Sequence, residues 1–141
     1  MPEYTAFIDG ASSGNPGDAG IGVIILKDGK EIFRESRYIG RETNNVAEYT
    51  ALLTALKVAE KHKIQGIHIF TDSELVVKQL NGEYKIKNSV LKVLAAEAVK
   101  KKNTVNYGLS HIKREKNSAA DKLAKEAVKR GGAAKAREKM R

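Results

Sequence analysis

"GIHIFTDSELVVKQLNG", residues 66–82, changes its character halfway without a turn in between. The segment 66–72 is a short, buried type of strand, and residues 73–82 follow at once as a helical stretch. A strand that feeds directly into a helix belongs to a crossover unit, and such units add parallel strands to a sheet. Upstream, "TNNVAEYTALLTALKVAEKH" (43–62) is an amphipathic helix over 44–62. Before it, "AGIGVIILKDGKEIFRESRYIG" (19–40) is a hairpin whose Asp28-Gly29 pair is a strong type I′ turn signal, and "YTAFID" (4–9) is a first strand. Downstream, a third helix spans about 89–102, "VNYGLSHIK" (105–113) is a fifth strand, and a last helix spans 118–130, with Gly131-Gly132 placed to stop it. The pattern predicts an α/β fold with a five-stranded mixed sheet. Antiparallel strands 1–3 are extended by parallel strands 4 and 5, and helices cover the sheet. A single domain over 1–130 with a basic, flexible tail over 131–141 is expected.

No apolar run approaches the ~18 residues that a membrane span needs, and the start "MPEYTAFIDG" lacks the basic and apolar regions of a signal peptide. A soluble, cytoplasmic protein with no membrane association is the expectation. With no cysteine, thiolate metal sites and cysteine nucleophiles are excluded. The net charge of +9 points to a polyanionic partner. Lys85, Lys87, Lys100, Lys101, Lys102, Lys113, Arg114 and Lys116 concentrate that charge in the second half of the chain, although a solvated surface serving solubility would look the same.

Four acids stand apart from this basic background. Asp9 ends the first predicted strand, Asp72 ends the fourth, Glu48 lies in the first turn of the first helix on its apolar side, and Asp121 lies in the first turn of the last helix. Parallel strands 1 and 4 would bring Asp9 and Asp72 out at one sheet edge, where ligands of such sheets bind. Each acid also has an ordinary reading. Asn45 with Glu48 and Ser118 with Asp121 have capping-box spacing, and Asp72 or Ser73 could cap the following helix. Capping does not explain why Glu48 faces the apolar stripe, and it says nothing of Asp9. Gathered carboxylates repel, and hard divalent cations such as Mg²⁺ and Mn²⁺ relieve that repulsion. Two such ions suit phosphodiester hydrolysis, so a basic protein with an acidic pocket points to a nuclease.

The segments "FIDGASSGNPGDAGIG" (7–22), "TNNVAEYTALLTAL" (43–56), "IFTDSELVVKQLNGEYKIK" (69–87) and "REKNSAADKLAKEA" (114–127) resemble type 1 ribonuclease H, in that family's order and spacing. The resemblance implies the ribonuclease H-like fold. It also implies an endonuclease that cuts the RNA strand of an RNA/DNA hybrid and leaves 3′-hydroxyl and 5′-phosphate ends. By the same resemblance Asp9, Glu48, Asp72 and Asp121 hold two Mg²⁺ ions in the substrate complex, with Mn²⁺ able to substitute. Asn15, Asn44 and Asn45 contact the hybrid backbone, and Arg41 and Thr43 hold a phosphate of the DNA strand. Lys85 and Lys87 in "GEYKIK" alternate so that both face one groove. Ser73 assists at the site, a role that helix capping explains equally well.

Many members carry a glycine-containing loop with a histidine before the last helix. Here "SHIKREKNSAAD" (110–121) has no glycine, and His111 continues the strand parity of Val105, Tyr107 and Leu109. Arg114 is expected to take the nearby role. A compact form is expected, without the inserted basic helix over 82–89 and the hybrid-binding domain ahead of strand 1 that some relatives carry, which would leave "GEYKIK", the Lys100–Lys102 run and the tail to grip substrate. A monomer with no small-molecule cofactor is expected. A proofreading exonuclease is the nearest alternative, but its Asp-x-Glu pair is absent at Asp9-Gly10-Ala11. A binding module that lost its chemistry is the other.

Overall fold

The computed structural model describes residues 2–139, with side chains up to Ala134. Strands β1 (Tyr4–Ser12), β2 (Gly17–Lys27) and β3 (Lys30–Glu42) form an antiparallel meander. Asp28 and Gly29 turn β2 into β3 with φ of 50° and 81°, the left-handed pair that a type I′ turn requires. Helix α1 (Asn44–Lys61) leads to β4 (Gly66–Thr71), then α2 (Glu74–Leu80), α3 (Ser89–Lys100), β5 (Asn106–His111) and α4 (Ser118–Lys139). The five strands lie in the order β3-β2-β1-β4-β5, with β4 parallel to both β1 and β5. This is the mixed sheet that the sequence predicts. Among the described residues no helix is long and apolar enough to cross a membrane.

The two faces of the sheet are covered by different helices. On one, Ala6, Ile8, Ile21, Val23 and Ile25 pack against Leu52, Ala55, Leu56 and Ala59 of α1, and Leu91, Ala95 and Ala98 of α3 close the core from outside. α1 is therefore held between the sheet and α3. Thr54 is buried, with its hydroxyl donating to the Thr50 carbonyl and accepting from Arg37. On the opposite face α4 crosses β1, β2 and β3. A Cβ at Gly22 would stand 2.2 Å from the Ala120 carbonyl oxygen, so the missing side chain is what lets α4 sit directly on β2.

Two boundaries differ from the sequence reading. β1 does not end at Asp9 but continues to Ser12, because Gly10 remains in register with Ile21 of β2. α4 does not stop at Gly131-Gly132. Gly131 is buried, and a Cβ there would lie 2.1 Å from the Tyr38 ring, so its smallness lets the helix pass over β3 rather than ending it. Arg130 adds hydrogen bonds to the Ser36 carbonyl and hydroxyl. The expected tail from residue 131 is thus helical through Lys139, and residues 140–141 lie outside those described.

Candidate active site

Parallel pairing of β1 with β4 sets Ile8 beside Thr71, so Asp9 and Asp72 stand side by side where β4 ends and β1 runs on alone with β2. α1 supplies Glu48 from one face of the sheet. It approaches so closely that Gly10 lies against the Ala47 and Glu48 backbone, and the Gly10 N–H donates to Glu48 Oε1 at 2.9 Å. The Thr71 hydroxyl donates to the other oxygen of Glu48 at 3.5 Å. One carboxylate oxygen from each of Asp9, Glu48 and Asp72 lies within 4.8 Å of the other two. Asp121 comes from α4 on the other face and is within hydrogen-bonding reach of Asp9. All four acids line one cavity of about 530 Å³, together with Ser12, Ser13, Asn44, Arg114, Lys125 and Lys129.

The electrostatics divide the four. Asp9 and Glu48 are each only 4% exposed. Burial, the charge of Glu48, a shared hydrogen bond with it, and the charge of Asp72 push the Asp9 carboxyl up to about 10. Burial also raises Glu48, to about 7, even though hydrogen bonds from Asp9 and the Gly10 amide favour its charge. For Asp121 burial works in the same direction, yet hydrogen bonds from Lys125 and Asp9 and the charges of Lys125 and Arg114 outweigh it and hold its carboxyl below the ordinary range. Three crowded hard oxygen donors, one forced toward its neutral form by burial and by its neighbours' charge, are a donor set that fits a divalent ion.

The capping explanations can now be judged residue by residue. Thr43, not Asn45, is the N-cap of α1, its hydroxyl accepting from the Val46 N–H. Glu48 is free of capping and serves the cavity. Ser73 caps α2 by accepting from the Val76 N–H. No capping bond from Ser118 is needed, because a 3-10 turn over Arg114–Asn117 leads into α4.

A second group of predicted residues gathers at one rim. The Asn15 side chain accepts from the Asn44 N–H at 3.2 Å, and Ser12 donates to the Glu42 carbonyl, so the 12–17 loop is tied to the start of α1. Asn45 and Thr43 are half-buried there, and Arg41 is exposed at the end of β3. Lys85 and Lys87 are exposed on either side of the half-buried Ile86 and do not line the cavity. His111 ends β5, exposed and outside the cavity, whereas Arg114 lines it. The Lys100–Lys102 run sits at the amino end of β5, the far end of the strands from the acids, with Lys101 paired to Glu60 at 2.7 Å.

Two contributors escaped the sequence reading. Lys125 stands one helical turn beyond Asp121, its ammonium 2.9 Å from Asp121 Oδ2, and the i,i+4 spacing was the available signal. Asn117 is buried, and its amide donates to the Ile8 carbonyl at 2.8 Å, pinning the entrance of α4 to the residue before Asp9. Nothing in a lone asparagine announces that contact. Asn117→Ala strands a buried carbonyl and is expected to cost about 2 kcal/mol, checked by urea denaturation. A loss under 0.5 kcal/mol would mean the bond does little.

Residues 7–127 match the reverse transcriptase-like family. The chain is 39% identical over 127 residues to the ribonuclease HI of Halobacterium salinarum, covering 87% of this chain and 63% of that relative. It is 38% identical to a bifunctional protein of Mycobacterium tuberculosis, of which it spans 34%. Among solved structures it superposes on the compost-derived LC11 ribonuclease H1 with a TM-score of 0.87 and 40% identity, covering 93% of this chain and 99% of that one. The same LC11 protein has been solved in complex with an RNA/DNA hybrid and matches with a TM-score of 0.86, 39% identity and coverage of 92% and 99%.

Proposed function

Since this chain belongs to the reverse transcriptase-like family, and within it to the compact type 1 ribonucleases H, we propose that it is an endonuclease for the RNA strand of RNA/DNA hybrids. Its products are 3′-hydroxyl and 5′-phosphate ends. The observation that carries the reading is the gathering of Asp9, Glu48 and Asp72 within 4.8 Å, with Asp121 beside Asp9, in a cavity of an otherwise basic protein.

Asp9, Glu48 and Asp72 would hold one divalent ion, and Asp9 with Asp121 a second, Mg²⁺ being the expected metal and Mn²⁺ a substitute. When bound, such a pair supplies Lewis acidity at the attacking and leaving oxygens of a phosphodiester. The Gly10 N–H and Thr71 hydroxyl hold the Glu48 carboxylate in one orientation, which prepares the site before substrate arrives. Asn15, Asn44 and Asn45 offer neutral donors and acceptors at the rim, the chemistry that distinguishes a 2′-hydroxyl from a hydrogen. Arg41 and Thr43 stand on the β3 side of that rim for the phosphates of the other strand, while Lys85 and Lys87 project into solvent for a longer backbone contact. Ser73 is spent on capping, and Arg114 offers its guanidinium to the cavity. We place the catalytic domain over the chain from β1 through α4, and we assign the protein to the cytoplasm as a monomer that needs no small-molecule cofactor.

The test presents end-labelled RNA/DNA hybrid, the two homoduplexes and single strands with Mg²⁺ or with EDTA. Internal cuts confined to the RNA of the hybrid, lost in EDTA, are the expected result. Shortening from the 3′ end, or hybrid binding without cleavage in Mg²⁺ and Mn²⁺, would remove the reading.

A further inference from the structure

The site is unevenly supplied with positive charge. Among the described residues no cationic side chain pairs with Asp9, Glu48 or Asp72, whereas Asp121 has two: Lys125 Nζ lies 2.9 Å from its Oδ2 and Arg114 Nη2 lies 3.7 Å from its Oδ1. Both oxygens of Asp121 are therefore engaged from the protein's own side. The Lys125 side chain is 55% exposed and tethered only through α4, so its ammonium can leave Asp121 without disturbing the fold. Lys125 and Lys129 also line the cavity that the acids face.

An ion shared by Asp9 and Asp121 needs an oxygen that Lys125 or Arg114 now holds, while an ion among Asp9, Glu48 and Asp72 has no such ammonium or guanidinium to displace. We propose that Lys125 is a tethered cation that occupies the Asp121 half of the site and competes with the second divalent ion for it. This rests on the two-ion reading given above. The free protein then takes up its first ion readily and its second one poorly. A polyanionic substrate shifts the balance, because its phosphates give the displaced ammonium another partner in the same cavity. In this way the second ion is favoured when there is a strand to cut.

The competition is read directly from Mn²⁺ binding to the substrate-free protein, followed by calorimetry and by electron paramagnetic resonance of the free ion. Lys125→Gln and Lys125→Met should each tighten the second, weaker binding event roughly two- to fivefold, the size of a partly exposed ion pair. Lys125→Arg should stay close to the parent. In an Asp121→Asn background the Lys125→Gln change should have no effect on either event. Thermal melts in EDTA establish that each variant is folded. If the parent binds Mn²⁺ and both Lys125→Gln and Lys125→Met give the same or weaker second-site affinity, the competition is overturned while the metal site stands. If the parent binds no Mn²⁺ that Asp9→Asn abolishes, both this inference and the metal reading of the cavity are overturned.

Discussion

Asp9→Asn abolishes cleavage and at the same time makes the metal-free protein more stable. The loss of activity is expected to reach on the order of 10³-fold or more, since on the two-ion proposal Asp9 serves both positions and the charge stabilisation at stake is several kcal/mol. The gain in stability follows from proton linkage. Burial, then the charge of Glu48, raises the Asp9 carboxyl from 3.8 to about 10. The folded state therefore holds a proton that the unfolded chain has released, and between those two values stability falls as pH rises. Asparagine removes that slope. The variant should match the parent near pH 4 and become the more stable of the two by a margin that widens toward pH 8, measured by urea denaturation in EDTA. Adding Mg²⁺ should stabilise the parent by mass action and leave the variant nearly unchanged. A variant less stable than its parent at pH 8 in EDTA would show that Asp9 is not a strained charge.

Gly10→Ala carries the second large effect. A Cβ at this position would lie 2.3 Å from the Ala47 carbonyl carbon and 2.4 Å from the Glu48 nitrogen. Both are backbone atoms of a helix packed between the sheet and α3, so the whole of α1 has to lift. A cost of about 3 kcal/mol is expected, at the upper end of overpacking losses. The substitution also acts on the site, because moving α1 withdraws Glu48 from the Gly10 N–H. Gly66→Ala is the control, since its Cβ would meet only the Asn106 carbonyl oxygen at 3.7 Å. Equal melting temperatures for the Gly10 and Gly66 variants would disprove the tight seat.

How much of this was legible in advance depends on the range of the interaction. The strand and helix sequence, the Asp28-Gly29 turn and the parallel pairing of β1 with β4 follow from local periodicity and connection rules, so Asp9 and Asp72 could be placed together from the sequence. Glu48 was readable as an acid on an apolar stripe. What could not be read was contact between backbones. Gly10 reads as the exit from a strand because its role is to have no side chain where α1 passes, and Gly131 reads as a helix stop because the Tyr38 ring that needs the space is far away in sequence. The burial of Thr54 could not be read for a related reason: helical spacing shows which side of α1 faces the sheet, not that Arg37 reaches from β3 to its hydroxyl.

The hydrogen bond from Asn117 to Ile8 joins residues 109 positions apart. Contacts of that span close late in folding, after the local ones have lowered the entropy cost. Asp9, Glu48 and Asp72 can assemble from the first half of the chain, but Asp121 joins them only when α4 docks across Gly22 and Asn117 finds β1. On the proposed function, a chain whose sheet has formed but whose last helix has not docked still lacks Asp121 and has an incomplete site.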